Sequence, residues 1–223
     1  MTSIISIGAS NVILLHGLAR TSKSMDGLES FLSEHNFSVV NIDYPSRHFK
    51  IPELAKRVRK NIINRTRNSE SSKLHFVTHS MGGIILRQIQ ATHPLPNLGR
   101  VVMLGPPNKG SEVVDKLSKV KLFRLMNGPA AVQLSTSSES LPHSLGPVDF
   151  ELGVIAGDRS INPILSTLIP GKDDGKVSVA RTQVDGMKDF IVFHSPHPIL
   201  MNNQEVRSSI LSFLQKGNFV IKK

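Results

Sequence analysis

The sequence predicts an α/β fold, a mostly parallel sheet flanked by helices, on three observations. Short apolar runs of strand length alternate with stretches of helical periodicity, the pattern of strand–helix–strand crossovers. Turn residues separate these blocks. The 223 residues suit one domain, and a chain of that length buries roughly 70% of the surface its unfolded form exposes. The expected organisation is a single domain over 1–223 with an excursion at about 110–148.

Each element has its own signal. Val12-Ile13-Leu14-Leu15 reads as a buried strand ending at His16-Gly17. A helix is expected over about 24–34, then a strand over 37–42 that stops at Asp43-Tyr44-Pro45. A helix over about 52–67 starts with Pro52 in its first turn. Residues 74–78 form a strand, 81–91 a helix and 101–104 a strand ending at Gly105-Pro106-Pro107. From 110 to 148 the rhythm breaks. Weak helical stretches at 113–125 give way to a segment rich in Ser, Gly and Pro, read as a cap or lid over the sheet. Strands return at 152–156 and 188–193, separated by turn residues over 157–175. A helix over 205–214 ends near Gly217, a suitable C-cap.

Composition narrows the function classes. Hydrophobic residues make up 39% of the chain, and no apolar run approaches the ~18 residues that span a bilayer. The start, Met1 to Gly8, has no positive n-region and too short an apolar stretch for a secretory signal, so the expected compartment is the cytoplasm. The absence of cysteine excludes disulfides, thiolate metal sites and cysteine nucleophiles. The net charge of +10 has two readings: attraction to an anionic partner such as a membrane surface, nucleic acid or acidic substrate, or a generic basic surface. The densest cluster, Lys56, Arg57, Arg59, Lys60, Arg65 and Arg67, falls on the expected 52–67 helix opposite Ile51, Leu54, Val58 and Ile62. That is the pattern of a solvated helix face. Aromatic residues, at 5%, are too sparse for a single-strand stacking platform, and no nucleic-acid module is recognisable. Asn108-Lys109-Gly110-Ser111 and Gly171-Lys172 lack Walker spacing, so neither is a phosphate loop.

The chemistry centres on Leu74-His75-Phe76-Val77-Thr78-His79-Ser80-Met81-Gly82-Gly83. A serine hydroxyl is a poor nucleophile unless exposed, rigidly held and paired with a base. A sharp strand-to-helix turn exposes it and needs small residues two positions either side. Gly82 meets that need. Thr78 departs from it, and fits if the strand packs slightly farther from the helix. A serine that merely caps a helix is the structural alternative. Acyl transfer also needs N–H donors for a developing oxyanion. Met81, just after the serine, supplies one. Leu18 is the candidate for the second, because Gly17 lets the loop after the first strand approach closely. His16 then shapes that loop and is not the base.

The His16-Gly17-Leu18 loop and the Thr78-to-Gly83 turn resemble the α/β-hydrolase superfamily, and more narrowly its small lipase-like or esterase-like members. The resemblance extends over about 11–216. It implies reduced or missing early strands and hydrolysis of a carboxylic ester by a serine, with no cofactor. It also implies the chain order Ser, acid, His. His197, in the loop before the last helix, and the Pro198-Ile199-Leu200-Met201-Asn202 that follows resemble the base segment. His194 continues the strand. A metal at His194 and His197 is not expected, since no carboxylate or cysteine lies near in sequence to complete a site. Asp158 and Asp174 both follow late strands. The Asp-Gly-x-Val-x-Val pattern beginning at Asp174 resembles the acid loop of lipase-like hydrolases, and Asp173 reads as a solvated turn residue. The expected partner is a small acyl ester. The same set of residues serves thioesterases and amidases, and a silent fold of this kind acts as a binding protein. Oligomeric state is not legible.

Overall fold

The computed structural model describes residues 11–66 and 73–220. Among them six strands form one sheet in the order β2-β1-β3-β4-β5-β6. The strands are β1 (Asn11–Leu15), β2 (Ser38–Ile42), β3 (Leu74–His79), β4 (Leu98–Leu104), β5 (Leu152–Gly157) and β6 (Asp189–Phe193). Every pairing in the sheet is parallel. Parallel neighbours need crossovers, and α1 (Asp26–Glu34), α2 (Ile51–Thr66), α3 (Met81–Thr92) and α9 (Gln204–Lys216) flank the sheet. Expected and observed boundaries of the strands and long helices agree within about two residues, except that β4 begins at Leu98, three residues before the expected 101. Arg67 and Met1 to Gly8 lie outside the described residues.

The side-chain alternation of β1 shows how the layers form. Ile13 and Leu15 pack with Leu54, Val58 and Ile62 of α2 and Ile84 and Ile85 of α3. Val12 and Leu14 face the other way, onto Met25, Leu28 and Leu32 and onto Val206, Ile210 and Phe213 of α9. A strand with helices on both faces is apolar at every position, which is why the run is continuous rather than alternating. The basic side chains of α2 are turned outward: Lys56, Arg57, Lys60 and Arg65 are exposed, and Arg57 stacks over Phe49. The side chain of Asn203 caps α9 through the amides of Glu205 and Val206, and Gly217 ends it in the left-handed conformation.

The excursion contains more helix than its composition suggests: α4 (Glu112–Leu117), α5 (Lys121–Ala131) and α6 (Leu141–Ser144). Gly128 breaks α5 with φ 73° and ψ −176°. The 157–175 stretch also holds one short helix, α7 (Pro163–Ser166), and α8 (Val179–Thr182) follows the acid-loop sequence. α4 and the start of α5 fall on the weak helical stretches expected at 113–125, whereas composition hid α6 and α7, because single-turn helices depend on tertiary contacts rather than propensity. A buried guanidinium supplies such contacts. Arg87 of α3 donates to the carbonyls of Asn108, Pro142 and Gly146. Burial lowers its pKa to about 10. The excursion is thereby tied to the helix that follows Ser80.

Candidate active site

Ser80 stands between β3 and α3 with φ 53° and ψ −122°, a conformation non-glycine residues rarely adopt. The turn leaves the side chain half-buried, at the carboxyl edge of the sheet. The strain is sustained by close packing. A Cβ on Gly82 would lie 2.7 Å from the carbonyl oxygen of Leu15, and one on Gly83 would lie 3.2 Å from Thr78 Oγ1. The missing side chain of Gly83 thus leaves room for the Thr78 hydroxyl. Its buried hydroxyl has no hydrogen-bond partner among the described residues.

The loop after β1 reaches the same edge. A Cβ on Gly17 would meet Ser80 Cβ at 3.2 Å and His79 Nδ1 at 2.8 Å, so only glycine permits this approach. His16 is fully buried and stacks on Tyr44 at 4.0 Å. Its Nε2 accepts the Tyr44 N–H, which leaves Nδ1–H to donate to the Gly17 carbonyl at 2.9 Å. Burial lowers its pKa, which favours this neutral tautomer. The Tyr44 hydroxyl donates to the His16 carbonyl, and the Ala19 N–H donates to Ser46 Oγ. His16 thus ties the Gly17 carbonyl and Tyr44 together beneath the loop. Tyr44, the chain's one tyrosine, was not expected to anchor it. The Leu18 N–H has no acceptor among the described residues. Met81, first in α3, has no carbonyl in a preceding helical turn to bond.

Asp174 and His197 come together behind this edge. Asp174 is fully buried, and its Oδ2 accepts from His197 Nδ1 at 2.7 Å. Its Oδ1 accepts the amides of Lys176 at 3.0 Å and Val177 at 2.9 Å. Its backbone carbonyl accepts the His197 N–H at 3.0 Å. The pair is packed under Gly105, whose φ is 53°. A Cβ there would lie 3.0 Å from both Asp174 Oδ2 and His197 Nδ1. The excursion braces the acid loop: Ser111 donates to the Lys176 carbonyl, while Glu112 accepts from Ser178 and Arg181.

Asp158 pairs elsewhere. Its Oδ1 lies 2.9 Å from Nδ1 of the exposed His194, and its Oδ2 lies 3.6 Å from Lys172 Nζ. Asp173 corrects an expectation. It is buried, not solvated, because Oδ1 accepts the Gly175 amide and Oδ2 accepts from Ser166 Oγ. No group of histidine and acidic residues suited to a metal occurs among the described residues.

Ser80 and His197 line one cavity of about 130 Å³ together with Leu18, His79 and Lys176. No hydrogen bond closes between Ser80 Oγ and His197, and such contacts often tighten only with substrate. Val113, Val114, Phe123 and Leu134 of the excursion supply its apolar wall. Burial lowers the pKa of Lys176, and Arg20 nearby adds to the effect. His79 was not expected to take part. Its Nε2–H donates to the His197 carbonyl at 3.0 Å, and the two rings lie 4.8 Å apart. Burial, then the adjacent His197, holds its pKa well below the ordinary value. Its place beside Ser80 was the one available signal. A larger groove of about 540 Å³ runs between β6 and α9, but no histidine lines it to activate its serines.

This fold and elbow define an α/β-hydrolase of the lipase-like and esterase-like kind. Within that class, the chain belongs to the palmitoyl protein thioesterase family, whose model matches residues 11–143. The match includes the Gly17-Leu18 loop and Ser80 and ends before Asp174 and His197. Lysosomal thioesterase PPT2-B of Xenopus laevis is 29% identical over 110 residues, which is 47% of this chain and 38% of that protein. The chain thus matches well under half the length of that relative. Among solved structures, the mature lipase BlEst2 of Bacillus licheniformis superposes with a TM-score of 0.72 at 15% identity, covering 99% of this chain and 96% of the other. The metagenomic carboxyl esterase MGS0156 gives 0.69 at 16% identity over 86% of this chain and 66% of its own. These likenesses concern the fold.

Proposed function

We propose that the protein is a serine hydrolase that cleaves an acyl ester or thioester through an acyl-enzyme. The observation that carries this reading is the buried Asp174–His197 contact, whose histidine lines one cavity with a strained, half-buried Ser80. A carboxylate only accepts, so His197 holds its proton on Nδ1 and keeps the Nε2 lone pair free. Nε2 takes the Ser80 proton as Oγ attacks the acyl carbonyl. Asp174 holds the ring and stabilises the imidazolium that forms. The amides of Leu18 and Met81 receive the oxyanion. The imidazolium then gives its proton to the departing alcohol or thiol. Water, deprotonated by Nε2, attacks the acyl-Ser80 carbonyl, and the carboxylic acid leaves as Ser80 recovers its proton.

Residues 1–223 act as one domain on this reading, with 110–148 as a cap over the cavity. The cavity is smaller than the ~300–1,000 Å³ of most ligand pockets. Short acyl groups enter it as it stands, and long ones require α5 to shift. The sequence points to oxygen esters, whereas family membership favours thioesters. Matched p-nitrophenyl esters and acyl thioesters of increasing chain length separate the two. Ser80→Ala abolishes turnover of whichever is cleaved while the circular dichroism spectrum is kept. Unchanged turnover in Ser80→Ala would overturn the proposal.

A further inference from the structure

The loops that follow parallel strands leave a sheet at one edge, here the edge that holds Ser80. Most of the exposed large apolar side chains gather on these loops. Leu122, Leu125 and Met126 lie on α5, which follows β4, and Leu125 is 79% exposed. Ile161 and Ile164 follow β5, with Ile164 76% exposed. Ile199 follows β6, two residues beyond His197.

The arrangement on α5 is directional. At 100° per residue, Leu125, Leu122 and Met126 share one arc. Phe123 and Asn127 occupy the next arc and line the Ser80 cavity. Lys121 and Arg124 lie on the remaining side, exposed. Lys116 and Lys119, just before α5, are exposed as well. None of these four cations makes an ion pair among the described residues. The acids of this segment are occupied inside: Asp115 accepts from Thr136, and Glu112 from Arg181 and Ser178. What reaches solvent is an apolar arc edged with unpaired positive charge, on a chain of net charge +10.

We infer that this rim docks on an anionic phospholipid bilayer, with α5 lying in the interface. Leu122, Leu125 and Met126 enter the acyl boundary, and Lys116, Lys119, Lys121 and Arg124 stay among the headgroups. Apolar area and cationic flanks together are what an interfacial helix needs, since either alone binds weakly. A helix lying in the interface makes the attachment peripheral and reversible. The cavity wall formed by Phe123 then faces the surface from which a lipophilic acyl group arrives.

Vesicle co-sedimentation tests this without turnover, so its outcome is independent of the hydrolase proposal. Full-length protein is mixed with phosphatidylcholine vesicles, with or without phosphatidylglycerol, at low and high salt. Binding is expected only with phosphatidylglycerol, and it weakens as salt rises. Leu125→Asp/Met126→Asp weakens it by about tenfold or more per side chain. Lys121→Glu/Arg124→Glu weakens it by about a hundredfold. Neither pair changes hydrolysis of a soluble short-chain ester. Because the chain contains no tryptophan, Met126→Trp supplies a single reporter, and its emission shifts to the blue on anionic vesicles. Three outcomes would each overturn the inference: equal binding to neutral vesicles, no binding at low salt, or an emission spectrum of the Met126→Trp variant unmoved by bound vesicles. A concentration-dependent dimer abolished by the Leu125→Asp/Met126→Asp pair would also overturn it, assigning the face to a second copy of the chain.

Discussion

Two aspartate–histidine pairs lie three residues apart at their histidines, with nearly equal contacts: 2.7 Å for Asp174–His197 and 2.9 Å for Asp158–His194. Distance alone does not distinguish them. Surroundings do. Asp174 is fully buried, with both oxygens satisfied by His197 and two backbone amides, and His197 shares a cavity with Ser80. His194 is exposed, and its aspartate is shared with Lys172. An ion pair in water contributes ~0–1 kcal/mol and is easily exchanged. A buried carboxylate with fixed donors can hold one tautomer through a reaction cycle.

Breaking the buried pair has the largest expected effect. His197→Ala lowers kcat/KM on the best ester or thioester by about 10⁴-fold, and Asp174→Asn by about 10³-fold or more. Steady-state kinetics check both. The elbow comes next, because the buried pair is useful only while Ser80 is held beside it. Gly83→Ala forces a Cβ toward Thr78 and Met103 and costs about 1–3 kcal/mol in urea unfolding. Thr78→Ala in the same background recovers part of that loss.

Acid sharpens the contrast further. Burial first, and for His79 also the neighbouring His197, lowers the pKa values of His16 and His79. Below the ordinary value of 6.5 the unfolded chain takes up protons that the folded one resists. Stability from these two residues is therefore full above pH 6.5 and falls as the pH drops toward their folded values. Urea midpoints decline over that window, and His79→Gln makes the decline shallower. The exposed pair has the smallest effect: Asp158→Asn and His194→Ala leave kcat/KM within about twofold of wild type. A large loss in either would reverse the comparison.

The sheet was legible because strands buried on both faces, such as Val12 to Leu15, are apolar at every position. Ser80, Gly82 and the Gly17-Leu18 loop were legible because a strained turn and a close approach demand particular residue types. The Asp174 pattern distinguished it from Asp158 only through resemblance, since both follow strands. The geometry that separates them, burial against exposure, depends on Gly105 and on the excursion bracing the acid loop. Those are contacts between residues far apart in the chain. Asp173 was misjudged because an Asp-Asp-Gly turn has the same letters whether water or Ser166 satisfies the first carboxylate. His79 and Tyr44 carry no local pattern, so only tertiary structure reveals their bonds to the His197 and His16 carbonyls.

The central claim is that Ser80 is a nucleophile activated by the buried pair. Intact-mass and peptide spectrometry after exposure to a fluorophosphonate tests it most directly. The account predicts one adduct, on Ser80, absent in Ser80→Ala, much slowed in His197→Ala and formed at the wild-type rate in His194→Ala. A folded protein that takes no label, or a label retained in Ser80→Ala, would contradict it.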